Sequence, residues 1–163
     1  MEGLELFVVD DVGANIVLAK RASRDKGYKF SFANNSYDAI DKLAIRINKG
    51  EGLPDIYLCD MLDRDNIIAK MKDGQGEMQD VYATMAFNIM NYLRFKEIVP
   101  DFFIGWTSAI SKEDESVARD LDIVLLGKEK TARIFPDVSE LNRDEALQKF
   151  RENYSLIKGS YNF

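Results

Sequence analysis

Short apolar runs alternate along this sequence with segments that repeat apolar residues at helical spacing. A continuous apolar run between turn residues is typical of a strand that is buried on both faces. Strands are predicted at 4–9, 28–33, 55–60, 102–107 and 123–127. Helices are predicted at 13–26, 37–48, 78–97, 112–121 and 143–158. Such alternation predicts an α/β fold, a doubly wound five-stranded parallel sheet with helices on both faces and right-handed crossovers.

Two connections depart from this pattern within what we predict to be a single domain, 1–163. The segment 61–77 follows the third predicted strand, and most βα loops have only about 2–6 residues. We expect a short helical turn there at Ile67, Ile68 and Met71. Lys70 and Lys72 could reach a negatively charged group added at the end of that strand, with Gly74 and Gly76 as hinges. The insertion is therefore predicted to gate or extend a site there; the alternative is a solvated, disordered insertion. The second connection, 129–142, is irregular.

Composition excludes several classes of function. The chain has 22 Lys and Arg against 28 Asp and Glu, a net charge of −6, and we find no basic stripe for direct binding of nucleic acid. It has no histidine, which excludes Ser-His-Asp catalysis and His-ligated zinc. Cys59 is the single cysteine, so no intramolecular disulfide can form. No apolar run approaches the ~20 residues of a membrane span, and the expected location is cytoplasmic.

Polar side chains stand where the predicted strands end. In open α/β sheets the ligand binds at the carboxyl ends of the strands. The residues at these ends are Asp10, Asp11, Asp60, Thr107 and Lys128. Any one acid alone is most simply a helix cap or a turn former. Two carboxylates ~4 Å apart repel by roughly 4 kcal/mol, and Mg²⁺ together with a lysine would relieve this repulsion. The set therefore indicates a phosphoryl-transfer site in which one carboxylate attacks phosphorus.

The ordered motifs resemble the receiver domain of bacterial two-component response regulators. The resemblance spans residues 6–128, and its segments are LFVVDD at 6–11, PDIYLCD at 54–60, IGWTS at 104–108 and LLGK at 125–128. Asn15, four residues past the second acid, is also common in that family. The resemblance implies a flavodoxin-like receiver fold with strand order 2-1-3-4-5.

The resemblance also implies roles for individual residues. Asp60 would accept the phosphoryl group, and Mg²⁺ would be held by Asp10, Asp11, Asp60 and the backbone carbonyl of Leu62. The phosphate would contact the three remaining site residues, Thr107, Ser108 and Lys128. The implied partners are a histidine kinase or phosphotransfer protein as donor and a downstream protein target, with a homodimer as an option. No dedicated turnover enzyme is expected, only self-catalysed phosphotransfer and autodephosphorylation.

Several positions differ from the pattern of the receiver family. Asp63 and Arg64 stand where the family usually has Met-Pro, Glu129 follows the lysine in place of proline, and Leu125 replaces the switch aromatic. These differences leave a second interpretation open, a degenerate receiver that binds proteins without phosphorylation. A third interpretation, an aspartyl-nucleophile phosphatase, needs an aspartate two residues after the nucleophile. Leu62 at that position argues against it.

Overall fold

The computed structural model of the chain describes residues 3–62, 67–72, 75–82 and 84–159. Strands and α-helices follow one another within these residues in the order β1 (Leu4–Val9), α1 (Gly13–Ser23), β2 (Tyr28–Ala33), α2 (Ser36–Lys49), β3 (Ile56–Asp60), β4 (Ile67–Lys72), β5 (Met78–Tyr82), α3 (Met85–Phe95), β6 (Phe102–Thr107), α4 (Lys112–Leu121), β7 (Val124–Gly127) and α5 (Arg143–Gly159). A 3₁₀ helix, Lys128–Arg133, lies between β7 and α5.

The main sheet has five parallel strands in the order β2-β1-β3-β6-β7. Since β6 and β7 are the fourth and fifth strands that the sequence predicts, the predicted order 2-1-3-4-5 is confirmed. The register pairs Val9 with Cys59 and Asp60 with Trp106. The carboxyl ends of β1, β3 and β6 therefore lie side by side at one edge of the sheet.

The core has two layers, one on each face of the sheet. Alternate residues of a strand point to opposite faces. Leu6 and Val8 accordingly pack with Phe150 of α5 and Ile16 of α1 in one buried cluster. The other cluster combines β1 residues such as Val9 with residues of the remaining helices, among them Leu43, Ile89, Leu93 and Ala118. Helices on both faces are thus confirmed.

The segment after β3 differs from its prediction. Residues 67–72 form a strand, not a helical turn, and they pair antiparallel with β5 in a separate two-stranded sheet. The helix predicted at 78–97 begins only at Met85. Met78 and Tyr82 match the helical period by their spacing, and the sequence alone does not show the pairing of Met78 with Lys72. The overlooked signal is Thr84, whose side chain accepts a hydrogen bond from the Phe87 amide at 2.8 Å and caps the helix.

Other boundaries lie close to their predictions. The first helix ends at Ser23 instead of residue 26, and the connection 129–142 includes most of the 3₁₀ helix. Helix α4 begins with a capping box, in which Ser111 and Asp114 form hydrogen bonds in both directions. In the described ranges, no helix combines the length and the hydropathy that crossing a bilayer requires.

Candidate functional site

Three carboxylates meet at the carboxyl edge of the main sheet. Asp10 and Asp11 follow β1, and Asp60 is the last residue of β3. One oxygen from each of the three lies within 4.8 Å of the others. The Asp10 side chain is fully buried, and Asp60 retains only 7% of its exposure. The parallel pairing of β1 with β3 therefore brings Asp10 and Asp60, which are 50 residues apart in the sequence, together in a buried place.

The Asp10 carboxylate is held by the start of α1. Its Oδ1 accepts a hydrogen bond from the Val12 amide at 2.8 Å, and its Oδ2 accepts one from Asn15 Nδ2 at 3.2 Å. Charge-assisted hydrogen bonds of this kind stabilise a buried carboxylate. Asp10 is therefore a fixed part of the pocket, whereas Asp11 is more exposed.

Lys128 joins the two buried acids. Its Nζ lies 2.9 Å from Asp10 Oδ2 and 3.4 Å from Asp60 Oδ1. The lysine follows β7, and β6 separates β7 from β3 in the sheet. The side chain thus crosses the end of β6 to reach the acids, and it is itself buried. One ammonium compensates part of the charge of two carboxylates, which leaves the pocket net negative.

The pKa of Asp60 is raised to about 6, mainly because the carboxyl group is buried and secondarily because Asp10 is close. Lys128 and the Leu62 amide, 3.5 Å from Asp60 Oδ1, act in the opposite direction. The folded pocket therefore resists the ionised form of Asp60. A divalent cation bound by carboxylate oxygens would favour that ionised form.

Thr107 stands at the end of β6, but its hydroxyl has partners on the side of α4. The oxygen lies 3.2 Å from the Ala109 carbonyl and 3.3 Å from Asp114 Oδ2, and it donates toward these acceptors. Asp114 is also the residue that closes the capping box of α4 with Ser111. Ser108, the next predicted phosphate contact, is exposed. Thr107 is thus linked in this state to the start of α4.

Among known proteins, this chain matches solved structures. No protein-family model matches the sequence, and no curated protein matches it significantly. The chain is similar to the chemotaxis protein CheY4 of Vibrio cholerae, with a TM-score of 0.55 and 12% identity over 93% of this chain and 98% of that one. It is also similar to a CheY-like response regulator receiver domain protein of Methanospirillum hungatei, with a TM-score of 0.54 and 13% identity over 96% and 97%.

A third match is the receiver domain of the Francisella response regulator 1452, with a TM-score of 0.55 and 16% identity over 94% of this chain and 98% of that one. The chain has the receiver fold. The receiver fold that the sequence resemblance implies is therefore confirmed. At these identities, the roles of individual residues must rest on the geometry of this chain.

Sequence reasoning missed two residues that lie near Lys128 in the structure. Trp106 places its ring centroid 5.0 Å from Lys128 Nζ, and Thr131 lies in the 3₁₀ helix that Lys128 begins. Trp106 was visible in the sequence only as the neighbour of Thr107. Thr131 carried no signal, because the segment after Lys128 was predicted to be irregular.

The insertion after β3 is partly a hairpin of β4 and β5, and it follows the acid pocket directly in the chain. Asp63, Arg64 and Gly74 lie outside the described residues. Gly76 lies between the two strands and has a φ of 81°, a conformation that glycine adopts readily. A gating role for 61–77 stays a prediction.

Proposed function

We propose that this chain is a signalling receiver that accepts a phosphoryl group on Asp60 and signals through altered protein docking. The donor would be a histidine kinase or a phosphotransfer protein, and the readout a downstream protein target. The supporting observation is the pocket itself, in which three carboxylate oxygens lie within 4.8 Å while Lys128 contacts two of the acids. A fold alone does not require such a concentration of buried charge.

The donor set of the pocket fits Mg²⁺. Carboxylates and a backbone carbonyl are hard oxygen ligands, and Asp10, Asp11, Asp60 and the Leu62 carbonyl would supply them. Bound there, Mg²⁺ would offset the negative charge of the acids and of the transferred phosphoryl oxygens. The raised pKa of Asp60 supports this assignment, since the pocket resists the ionised carboxylate in the absence of a compensating cation.

Four residues of this chain would have separate roles in the phosphoryl transfer. An ionised Asp60 oxygen forms the bond to phosphorus while the bond from phosphorus to the donor's imidazole nitrogen breaks, and the electron pair leaves with the imidazole. Lys128, already 3.4 Å from Asp60 Oδ1, would pair with a phosphoryl oxygen. Asp10 would keep the ammonium at the site through its 2.9 Å contact. Thr107 would have to exchange its Asp114 partner for the phosphoryl group. That exchange would alter the start of α4 and so give the modification a structural consequence.

Replacing Asp11 with asparagine should weaken Mg²⁺ binding by at least tenfold, because one of three carboxylate ligands loses its charge. Trp106 fluorescence should report the titration, because the ring centroid lies 5.0 Å from Lys128 Nζ beside the pocket. The exposed Asp101, at the opposite end of β6, provides a matched Asp101→Asn control that should bind Mg²⁺ like the wild type. Unchanged Mg²⁺ affinity in Asp11→Asn would remove this residue from the metal site.

Asp60→Asn should abolish incorporation of the phosphoryl group, because the amide cannot act as the nucleophile. The measurement is the intact mass of the chain after brief incubation with Mg²⁺ and a small phosphodonor at neutral pH. The wild type and Asp101→Asn should gain one phosphoryl mass, and Asp60→Asn none. A wild type that gains no mass from either a small donor or a phosphohistidine protein would contradict the proposal.

A second function is favoured by two observations, one at Thr107 and one at Leu125. The Thr107 hydroxyl contacts Ala109 and Asp114. The buried Leu125 also stands at the sequence position where the resemblance implies an aromatic switch residue. This arrangement suits a receiver that binds its partner without phosphorylation. The mass experiment separates the two functions, because an interaction module would remain unmodified under every donor.

A further inference from the structure

Lys128 is held at both of its ends by one pair of buried side chains outside the acid pocket. The indole of Trp106 lies beneath the ammonium, with the ring centroid 5.0 Å from Nζ. Trp106 Nε1 donates a hydrogen bond to Thr131 Oγ1 at 3.0 Å. The Thr131 hydroxyl in turn donates to the Lys128 carbonyl at 2.6 Å. The ammonium and the backbone of the lysine are thus connected through two side chains.

The contacts with Trp106 and Thr131 restrict the conformation of the Lys128 side chain. The lysine must cross the end of β6 to reach Asp10 and Asp60, and its long side chain has many rotamers to lose. Trp106 is fully buried and Thr131 is 1% exposed, so both partners are themselves fixed by packing. An indole face attracts a cation, and the attraction grows when water is excluded. The indole therefore favours the rotamer in which the ammonium lies over β6.

The segment after Lys128 also depends on this pair. Glu129 follows the lysine, so the backbone there has no ring constraint. The chain turns instead into the 3₁₀ helix, and Thr131 closes its first turn by bonding the Lys128 carbonyl. The direction in which Lys128 leaves β7 is thereby set by a side-chain hydrogen bond.

We infer that Trp106 and Thr131 are positioning residues that hold the Lys128 ammonium at the place where the phosphoryl group would arrive. This inference rests on the proposed function for the meaning of that place. Trp106 and Thr131 thereby join the site through their contacts with Lys128 and not through the acids. Positioning of this kind typically changes affinity or activity by about 10–100-fold when a supporting partner is lost.

The test compares ligands that depend on Lys128 to different degrees. Beryllofluoride with Mg²⁺ mimics the phosphoryl group on Asp60 and needs the ammonium, whereas Mg²⁺ alone needs only the oxygen ligands. Thr131→Val and Trp106→Leu should lower beryllofluoride affinity by about tenfold or more, while Mg²⁺ affinity stays within about threefold. Thr131→Ser should restore wild-type affinity, and Trp106→Phe, which keeps an aromatic face without the Nε1 donor, should lie between. NMR titration provides both affinities without relying on tryptophan emission.

Two matched controls separate positioning from general loss of packing. Ser23 is another buried hydroxyl, bonded to the Ala19 carbonyl at 3.0 Å, and Phe150 is a fully buried aromatic in the same core cluster as Trp106. Ser23→Ala and Phe150→Leu should lower stability and leave both affinities at their wild-type values. The inference is overturned if Thr131→Val and Trp106→Leu bind beryllofluoride like the wild type, or if they lose both ligands in equal proportion.

A failure of the proposed function is recognisable separately. If the wild type does not bind beryllofluoride, the receiver function is wrong. The position of Lys128 is then read directly from its ε-methylene protons, which the indole ring current shifts in the wild type. Those protons should move toward ordinary lysine values in Thr131→Val, where the indole loses its anchor, and remain shifted in Ser23→Ala. Unmoved ε-methylene protons in Thr131→Val would overturn the positioning role on its own.

Discussion

Replacing Lys128 with methionine should destabilise the metal-free protein by about 3–5 kcal/mol, the usual cost of removing one partner from a buried ionic group. The ammonium lies 2.9 Å from Asp10 Oδ2 and 3.4 Å from Asp60 Oδ1, and both acids are almost fully buried. Methionine keeps much of the stem that crosses β6 and leaves the two carboxylates uncompensated. The loss should therefore be electrostatic, with little contribution from packing.

Urea unfolding at pH 7, with and without Mg²⁺, measures this effect. Mg²⁺ should restore much of the lost stability, because a cation that binds only the folded state stabilises it by mass action. The exposed Lys112 provides the matched control, and Lys112→Met should change stability by no more than about 0.5 kcal/mol. The double variant Lys128→Met with Asp60→Asn should be more stable than Lys128→Met alone. If Lys128→Met lost less than about 1 kcal/mol without Mg²⁺, the ammonium would not be compensating the acids.

The carboxyl edge of the sheet is the part of the site that strand patterns predict well. Apolar runs that end in Asp10 and Asp60 place these acids together as soon as the two strands are parallel neighbours, and the Val9–Cys59 register does so in the structure. Lys128 reaches the same edge because β7 is also parallel. Strand ends and sheet topology are coarse features, and hydrophobic periodicity is sufficient to locate them.

Side-chain partners within that edge depend on contacts that no local pattern contains. The Thr107 hydroxyl could have faced Asp60, and it faces Asp114 because a capping box brings that carboxylate within 3.3 Å. Trp106 next to it points to the opposite face of the sheet, where Thr131 of the 3₁₀ helix receives its Nε1 hydrogen bond. The β4–β5 hairpin was missed for a related reason, since strand pairing joins residues across a turn and the helical spacing of Met78 and Tyr82 is accidental.

Asp60→Asn should stabilise the metal-free protein at pH 7 by about 1–3 kcal/mol, although it removes the proposed phosphoacceptor. The folded pKa of Asp60 is raised from 3.8 to about 6, so the ionised carboxylate is less favourable in the folded state than in the unfolded state. Each unit of difference corresponds to about 1.4 kcal/mol, which sets the upper limit near 3 kcal/mol. Asparagine resembles the protonated acid, and it removes the repulsion from Asp10 without leaving a cavity.

The difference in stability between Asp60→Asn and the wild type should depend on pH. A carboxyl group with a raised folded pKa binds its proton more tightly in the folded state, so the stability that Asp60 contributes to the wild type is lost as the pH rises from about 4 to about 6. The advantage of Asp60→Asn should be absent near pH 4, grow over that interval and be complete at pH 7. Asp101→Asn, changed at an exposed site, should show no such profile.

Thermal unfolding of the wild type, Asp60→Asn and Asp101→Asn at several pH values, with and without Mg²⁺, tests the prediction. Mg²⁺ should raise the midpoint of the wild type more than that of Asp60→Asn, so the gap between them should narrow or reverse. If Asp60→Asn were less stable than the wild type at pH 7 without Mg²⁺, the 3.4 Å ion pair with Lys128 would outweigh burial and the Asp10 repulsion. A stabilising substitution at the proposed acceptor would mean instead that the fold tolerates an unfavourable charge there, the condition that a site for a cation and a phosphoryl group requires.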